Sequence, residues 1–145
     1  MIYLDTSVLL VYTLAQAIEP VRFVATQKLF AKINNRTLEA VTSFYSLHEV
    51  FVFALENAPD FDTGSDFGKS ALTQILLTPI KLTPLISRTE RQRHLPKFRK
   101  LLADFSDIPH AISALISGCD TIVAYDDHFK RISKIIKYQK PEDLV

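Results

Sequence analysis

Two hydrophobic periods alternate along the chain. IYL (2–4), EAVTS (39–43) and TIVAY (121–125) are short, apolar and rich in β-branched or aromatic residues, and they read as buried strands. KIIKYQ (134–139) reads as a last strand, and IKLTPLIS (80–87) as a weaker one because Pro84 cannot donate to a ladder. Between them the apolar positions recur at steps of three and four. SVLLVYTLAQA (7–17) is a predicted helix, and Pro20 opens a second over VRFVATQKLFAKI (21–33), stopped by Asn34 and Asn35. FYSLHEVFVFALEN (44–57) is a helix too apolar to be fully exposed, and GKSALTQILLT (68–78) is a fourth. Residues 88–104 read as a basic helix kinked or split at Pro96. DIPHAISALISG (107–118) is a helix with Pro109 in its first turn and Gly118 at its end. PDFDTGSDFG (59–68), dense in Asp, Gly and Pro, reads as the clearest loop.

Short strands separated by helices need crossover connections, and these favour a mainly parallel sheet covered by helices on both faces. The expected fold class is therefore α/β, with one domain over residues 1–145. In such sheets ligands bind beyond the carboxyl ends of the strands.

Composition narrows this little: 48% of the residues are hydrophobic and 23% charged, as in an ordinary globular domain. The single cysteine, Cys119, excludes an intrachain disulfide and fits a reducing cytoplasm. No secretory signal is expected with Asp5 so near the start, and no apolar run reaches the ~20 residues of a membrane span. The net charge of +1 hides an uneven distribution. Six of 17 Lys and Arg lie in RTERQRHLPKFRK (88–100) and five in HFKRISKIIKYQK (128–140), against one acid, Glu90. Such stretches either attract phosphates or serve as solvated faces.

Against this background the acids stand out. Asp5 directly follows the first strand, and Asp126 and Asp127 follow TIVAY. Asp107 opens a late helix, and Glu49 lies one turn into the apolar helix after the second strand. A parallel sheet would bring the strand-end acids to one edge, where they would raise one another's pKa unless a cation neutralised them. Oxygen ligands without a Cys or His cluster favour Mg²⁺ or Mn²⁺ over zinc and suit phosphodiester hydrolysis. Each acid also has a purely structural reading. Asp5 and Asp107 are good helix caps, Glu49 completes a capping box with Ser46, and Asp126–Asp127 fit a turn.

The order of these segments adds a resemblance. MIYLDTS at the start, TSFYSLHEV in the second quarter, DIPHAISALISGCDTIVAYDDHF near the end and the tail KYQKPEDLV together resemble the PIN-domain nucleases, in particular the VapC-type toxin ribonucleases. The resemblance implies a three-layer α/β/α PIN-like domain. It also implies metal-dependent endoribonuclease activity, with Asp5, Glu49, Asp107 and Asp126 as catalytic metal ligands for Mg²⁺ or Mn²⁺. In this pattern Thr6 or Ser7 occupies the small polar position behind the first acid. Ala124 stands where the family carries threonine, and Asp127 is an auxiliary candidate. His110 is expected to pack or hydrogen-bond locally rather than ligate metal. Tyr45, Phe61, Phe67 and Tyr125 are candidate surfaces for stacking bases. The partners implied are RNA, a cognate antitoxin whose tail blocks the acidic site, and a second copy of the chain as a homodimer.

Three alternatives remain at this level. The first is a PIN module that binds RNA without cutting it, which Ala124 favours. The second is a phosphatase or phosphotransferase with a strand-end aspartate, although Ser7 stands where the common pattern has a second acid. The third is a structural protein in which every acid is a cap.

Overall fold

The structure, a computed structural model, describes residues 1–145. Five short strands form one sheet: β1 (Ile2–Leu4), β2 (Ala40–Ser43), β3 (Lys81–Thr83), β4 (Thr121–Val123) and β5 (Lys137–Gln139). Their order is β3-β2-β1-β4-β5, and every neighbouring pair is parallel. The central strand β1 is buried along its length, as a strand with helices on both faces must be. Its side chains alternate: Ile2 and Leu4 enter one core, and Tyr3 enters the other.

The first core is built against α1 (Thr6–Thr13), α2 (Pro20–Asn34), α3 (Phe44–Glu56) and α4 (Phe61–Leu76). The second is built against α5 (Arg88–Leu101), α6 (Asp107–Ile116) and a 3₁₀ turn, Asp127–Ile132. Three layers result, in the expected α/β/α arrangement. The chain winds outward from β1 to β2 to β3, then crosses back over β1 to lay down β4 on its other side. That reversal between β1 and β4 is the topological switch point, where the loops after the two strands part and leave a crevice.

Several local expectations are corrected. The first helix stops at Thr13 rather than 17, where Thr13 Oγ1 donates back to the Leu9 carbonyl at 2.8 Å. Helix α5 continues through Pro96, which is exposed, so the carbonyl of Gln92 that it cannot serve is left to water. The strands after 80 and 121 are shorter than the apolar runs that predict them, and β5 begins only at Lys137.

The largest correction concerns residues 59–68, which are not a loop. Asp60 caps α4 by accepting from Thr63 N at 2.8 Å, and the helix then runs through Gly64 and Gly68. Both glycines face α3. A Cβ on Gly64 would lie 2.9 Å from Leu55 Cα, and one on Gly68 would lie 2.5 Å from the Phe51 ring. These residues serve the close approach of two helices rather than flexibility.

In an open helix Gly→Ala is stabilising by roughly 1 kcal/mol. Here the sign reverses, because the added methyl meets backbone. Gly64→Ala is expected to destabilise the fold by about 1–3 kcal/mol. Urea unfolding monitored by circular dichroism checks this, and an unchanged or higher midpoint would refute the packing argument.

Candidate active site

The carboxyl ends of β1 and β4 carry the acids the sequence singles out. Asp5 leaves β1 in extended backbone and caps α1, its Oδ2 accepting from Ser7 N at 3.0 Å and Ser7 Oγ at 2.7 Å. The residue is only 6% exposed. Ser7 Oγ in turn accepts from Tyr125 N at 3.0 Å, which stitches the loop after β4 to the start of α1. Asp126 caps the 3₁₀ turn by accepting from His128 N at 2.9 Å.

Asp107 and Glu49 arrive from opposite layers. The cap position of α6 belongs to Ser106, whose side chain makes no capping bond, so Asp107 is not the cap its sequence position suggests. It is the first residue of the helix, buried, with Oδ2 3.2 Å from His128 Nδ1. Helix α3 starts at Phe44 behind Ser43, which accepts from Ser46 N. The capping box of Ser46 and Glu49 is therefore absent, and the Glu49 carboxylate is free to project elsewhere. It is held on both oxygens: Thr6 Oγ1 donates to Oε2 at 2.6 Å, and His110 Nε2 lies 2.7 Å from Oε1.

His110 is almost fully buried and joins this edge to the sheet. The carboxylate can only accept, so Nε2 is the donor to Glu49. Nδ1 lies 2.8 Å from the Tyr3 hydroxyl and 3.9 Å from Asp5 Oδ1. Tyr3 continues to Ser43 Oγ at 2.6 Å, so a closed polar chain runs through the second core from β1 and β2 to the acidic edge. His110 thus meets the expectation of local hydrogen bonding, and its partner is one of the candidate acids.

His128 is the residue the sequence reading misses. Its Nδ1 sits 3.2 Å from both Asp107 Oδ2 and Asp126 Oδ1. Asp104, also not singled out, lies with Asp107 and His128 so that one ligand atom from each falls within 4.8 Å of the others. The only sequence signal for His128 is its position two residues after Asp126, where the cap geometry folds it back. Asp127 turns away instead, accepting from Tyr138 Oη at 3.2 Å and pairing with Lys130 and Lys140. Ala124 is fully buried in the second core. Among the aromatic candidates, Tyr125 is buried, with its hydroxyl bonded to Thr26 and the Arg22 carbonyl. Phe61 and Phe67 lie on α4, in the layer that packs on α3 and α1.

The electrostatics are lopsided. Five carboxylates, from Asp5, Glu49, Asp104, Asp107 and Asp126, face two imidazoles, and no lysine or arginine pairs with any of them. Burial, then the charges of Asp126, Asp104 and Asp5, push the Asp107 carboxyl up to about 6 despite its bond to His128. Burial also works against the Glu49 carboxylate, but the His110 and Thr6 hydrogen bonds outweigh it and hold its pKa below the ordinary range. Burial disfavours charge on His110, yet Glu49, Asp5 and Asp107 together raise its pKa. His128 is raised by its bond to Asp107 and the charge of Asp126. Carboxylate oxygens without a lysine or arginine partner suit a divalent cation, and the ligand atoms that gather most closely are those of Asp104, Asp107 and His128.

The raised Asp107 carboxyl fixes the sign of two effects. Between its unfolded value near 3.8 and about 6, the folded state holds a proton that the unfolded chain has released, so this group's contribution to stability falls as pH rises. Asp107→Asn is expected to raise the melting temperature by a few degrees at pH 7 in EDTA, and to remove most of the stabilisation that Mn²⁺ gives the wild type. A melting series with and without Mn²⁺ checks this; a variant less stable in EDTA would contradict the repulsion. The same proton competes with metal, so Mn²⁺ affinity of the wild type is expected to fall about tenfold per pH unit below about pH 6. Titration calorimetry at several pH values measures it, and a flat profile would rule Asp107 out as a ligand.

No protein-family model and no curated protein matches this sequence. Solved structures do match. VapBC2 from Rickettsia felis, crystallised with a DNA fragment from its promoter, is 21% identical, with a TM-score of 0.65 over 97% of this chain and 98% of that one. Mycobacterium tuberculosis VapC20, described as a sarcin-ricin loop cleaving toxin, is 18% identical, with a TM-score of 0.66 over 90% of this chain and 94% of that one. VapBC-1 from nontypeable Haemophilus influenzae is 19% identical, with a TM-score of 0.60 over 97% and 98%. At these identities the likeness is one of fold: the five-stranded parallel sheet between two helical layers is the PIN-like fold seen in VapC structures.

Proposed function

We propose that the protein is a Mg²⁺- or Mn²⁺-dependent endoribonuclease, formed by one PIN-like domain over residues 1–145, and the toxin of a toxin–antitoxin pair. The observation that carries this reading is the carboxylate cluster at the switch point, which no lysine or arginine neutralises and in which the Asp107 carboxyl is pushed up to about 6. The likeness to VapC structures supports it, as does the cleavage activity described for VapC20. The VapBC structures support an antitoxin as partner. A homodimer and a cytoplasmic location complete the reading.

Asp5 and Asp107 are the principal ligands in this reading, with Glu49 and Asp126 as further ligands, direct or through water. A divalent ion held there supplies a Lewis acid for the scissile phosphate and lowers the pKa of water at the site. The chain's own groups do the rest. Thr6 and His110 hold both oxygens of Glu49, so that carboxylate has one orientation. Asp5 keeps Oδ2 on Ser7, which leaves Oδ1, 3.9 Å from His110 Nδ1, without a hydrogen bond of its own. His128 keeps a proton at Nδ1 between Asp107 and Asp126. The basic residues of 88–100 and 128–140 attract the phosphates that the acids repel, so RNA binding weakens steeply with salt.

Incubation of purified protein with labelled RNAs, including a hairpin with a structured purine-rich loop, tests this in Mg²⁺, Mn²⁺ or EDTA. Cleavage is expected with either metal, none in EDTA, and a loss of about a hundredfold or more in Asp5→Asn. Cleavage that survives EDTA and Asp5→Asn would overturn the metal-nuclease reading. RNA binding without any cleavage would establish the non-catalytic alternative.

A further inference from the structure

A second surface lies directly beside the acids. Helices α5 and α6 meet in a groove of about 310 Å³ lined by Arg91, Leu95, Arg99, Phe105, Ile108 and Pro109. Its floor is apolar, and two guanidinium groups stand on its α5 wall. Neither Arg91 nor Arg99 has a carboxylate partner; within α5 the only acid, Glu90, is taken by Arg93 and His94. Arg91 reaches Tyr45 Oη at 3.4 Å, which holds it at the groove mouth. Arg99 lies over the Phe105 ring, 5.6 Å from guanidinium carbon to ring centroid. Phe105 is 62% exposed, and it comes two residues before Asp107 and one after Asp104.

Phe105 shares its exposure with Phe44, Phe61 and Phe67, and what sets it apart is the pair of guanidinium groups beside it that no carboxylate partners. That charge indicates what the groove takes. Free guanidinium groups over an apolar, aromatic floor suit a ligand that presents a flat apolar face and a phosphate at once. We infer that the groove between α5 and α6 binds one unpaired nucleotide of a single-stranded RNA, its base stacked on Phe105 and its phosphates on Arg91 and Arg99. The inference rests on the ribonuclease reading and adds to it where the strand runs. The groove adjoins the acids along the chain, since Phe105, Ile108 and Pro109 of its lining flank Asp107.

The chemistry has a consequence for substrate choice. Stacking needs a base out of its helix, so a continuous duplex cannot fill the groove. The bound stretch is an unpaired segment, read by shape and stacking rather than by base-edge hydrogen bonds.

The test uses the whole protein in Ca²⁺, with a short RNA carrying the fluorescent base 2-aminopurine, in single-stranded and duplex forms. The wild type is expected to prefer the single strand and to change the fluorescence of the stacked base. Phe105→Ala is expected to weaken single-strand binding about tenfold and remove the fluorescence change, with Phe105→Tyr restoring both. Arg91→Ala and Arg99→Ala are each expected to weaken binding and reduce the salt slope by about one. Lys69→Ala, an exposed change on α4, is the control, and Mn²⁺ affinity is expected to be unchanged in every variant. If the wild type binds or cuts RNA but the Phe105 and arginine variants behave alike to it, the groove inference fails and the nuclease reading stands. Equal affinity for duplex also overturns the groove. A wild type that neither binds nor cuts RNA overturns both.

Discussion

Two parallel strands, β1 and β4, end side by side, and the chain leaves them toward opposite layers of the fold. This reversal is the constraint on which the site depends. Where neighbouring strands diverge in this way, the residues just past each strand end stand side by side at the edge of the sheet. Asp5 and Asp126 are those residues. Helix α6 then brings Asp107 from the second layer, and α3 brings Glu49 from the first. Like charges so close would disperse in a flexible chain, so the surrounding packing has to oppose their repulsion. The buried chain from Ser43 through Tyr3 and His110 to Glu49 is one means of doing so. Its groups are fully partnered, and removing any one would strand another polar atom in the second core.

The cluster is also a place where the fold gives up stability. A buried carboxyl whose pKa rises on folding opposes folding at neutral pH, and Asp107 is such a group. Ordinary proteins relieve this with an arginine or lysine. Here the basic residues lie close by in sequence and space, on α5 and around residues 128–140, yet none is turned onto the carboxylates. The arrangement keeps negative and positive charge on adjacent surfaces without letting either neutralise the other.

Much of this was legible in the sequence, for physical reasons. Short apolar runs between amphipathic segments admit few architectures, so the layered parallel sheet followed from IYL, EAVTS and TIVAY, although the strands themselves are shorter than the last two runs. The four acids were legible through their joint order along the chain, since each alone has a local use as a cap or turn residue. What was not legible depends on contacts between distant residues. Gly64 and Gly68 read as a loop because glycine carries the same letter whether it bends a chain or lets α3 and α4 touch. His128 and Asp104 acquire meaning only when α6 and the turn after β4 converge. Phe105, the aromatic residue beside the cluster, was passed over for others that the fold buries or places on α4.

A cap and a ligand are not exclusive readings of an acid. A carboxylate has two oxygens, and a cap needs one. Asp5 gives Oδ2 to Ser7 and leaves Oδ1 3.9 Å from His110 Nδ1, so the bond that starts α1 also fixes the direction of the acid. Asp126 accepts from His128 N to begin its turn, and the same turn swings the His128 ring onto Asp107. Capping fixes a side chain that would otherwise rotate freely, and a metal ligand gains from being fixed before the ion arrives. The two residues that look like pure caps fare differently. Asp60 spends both oxygens on Thr63, whereas Asp107 caps nothing and has its burial, its raised pKa and its partner His128 all on the side of the acids. What separates the two aspartates is therefore reach rather than the number of bonds: one serves the first turn of its own helix, and the other meets a side chain from the turn after β4.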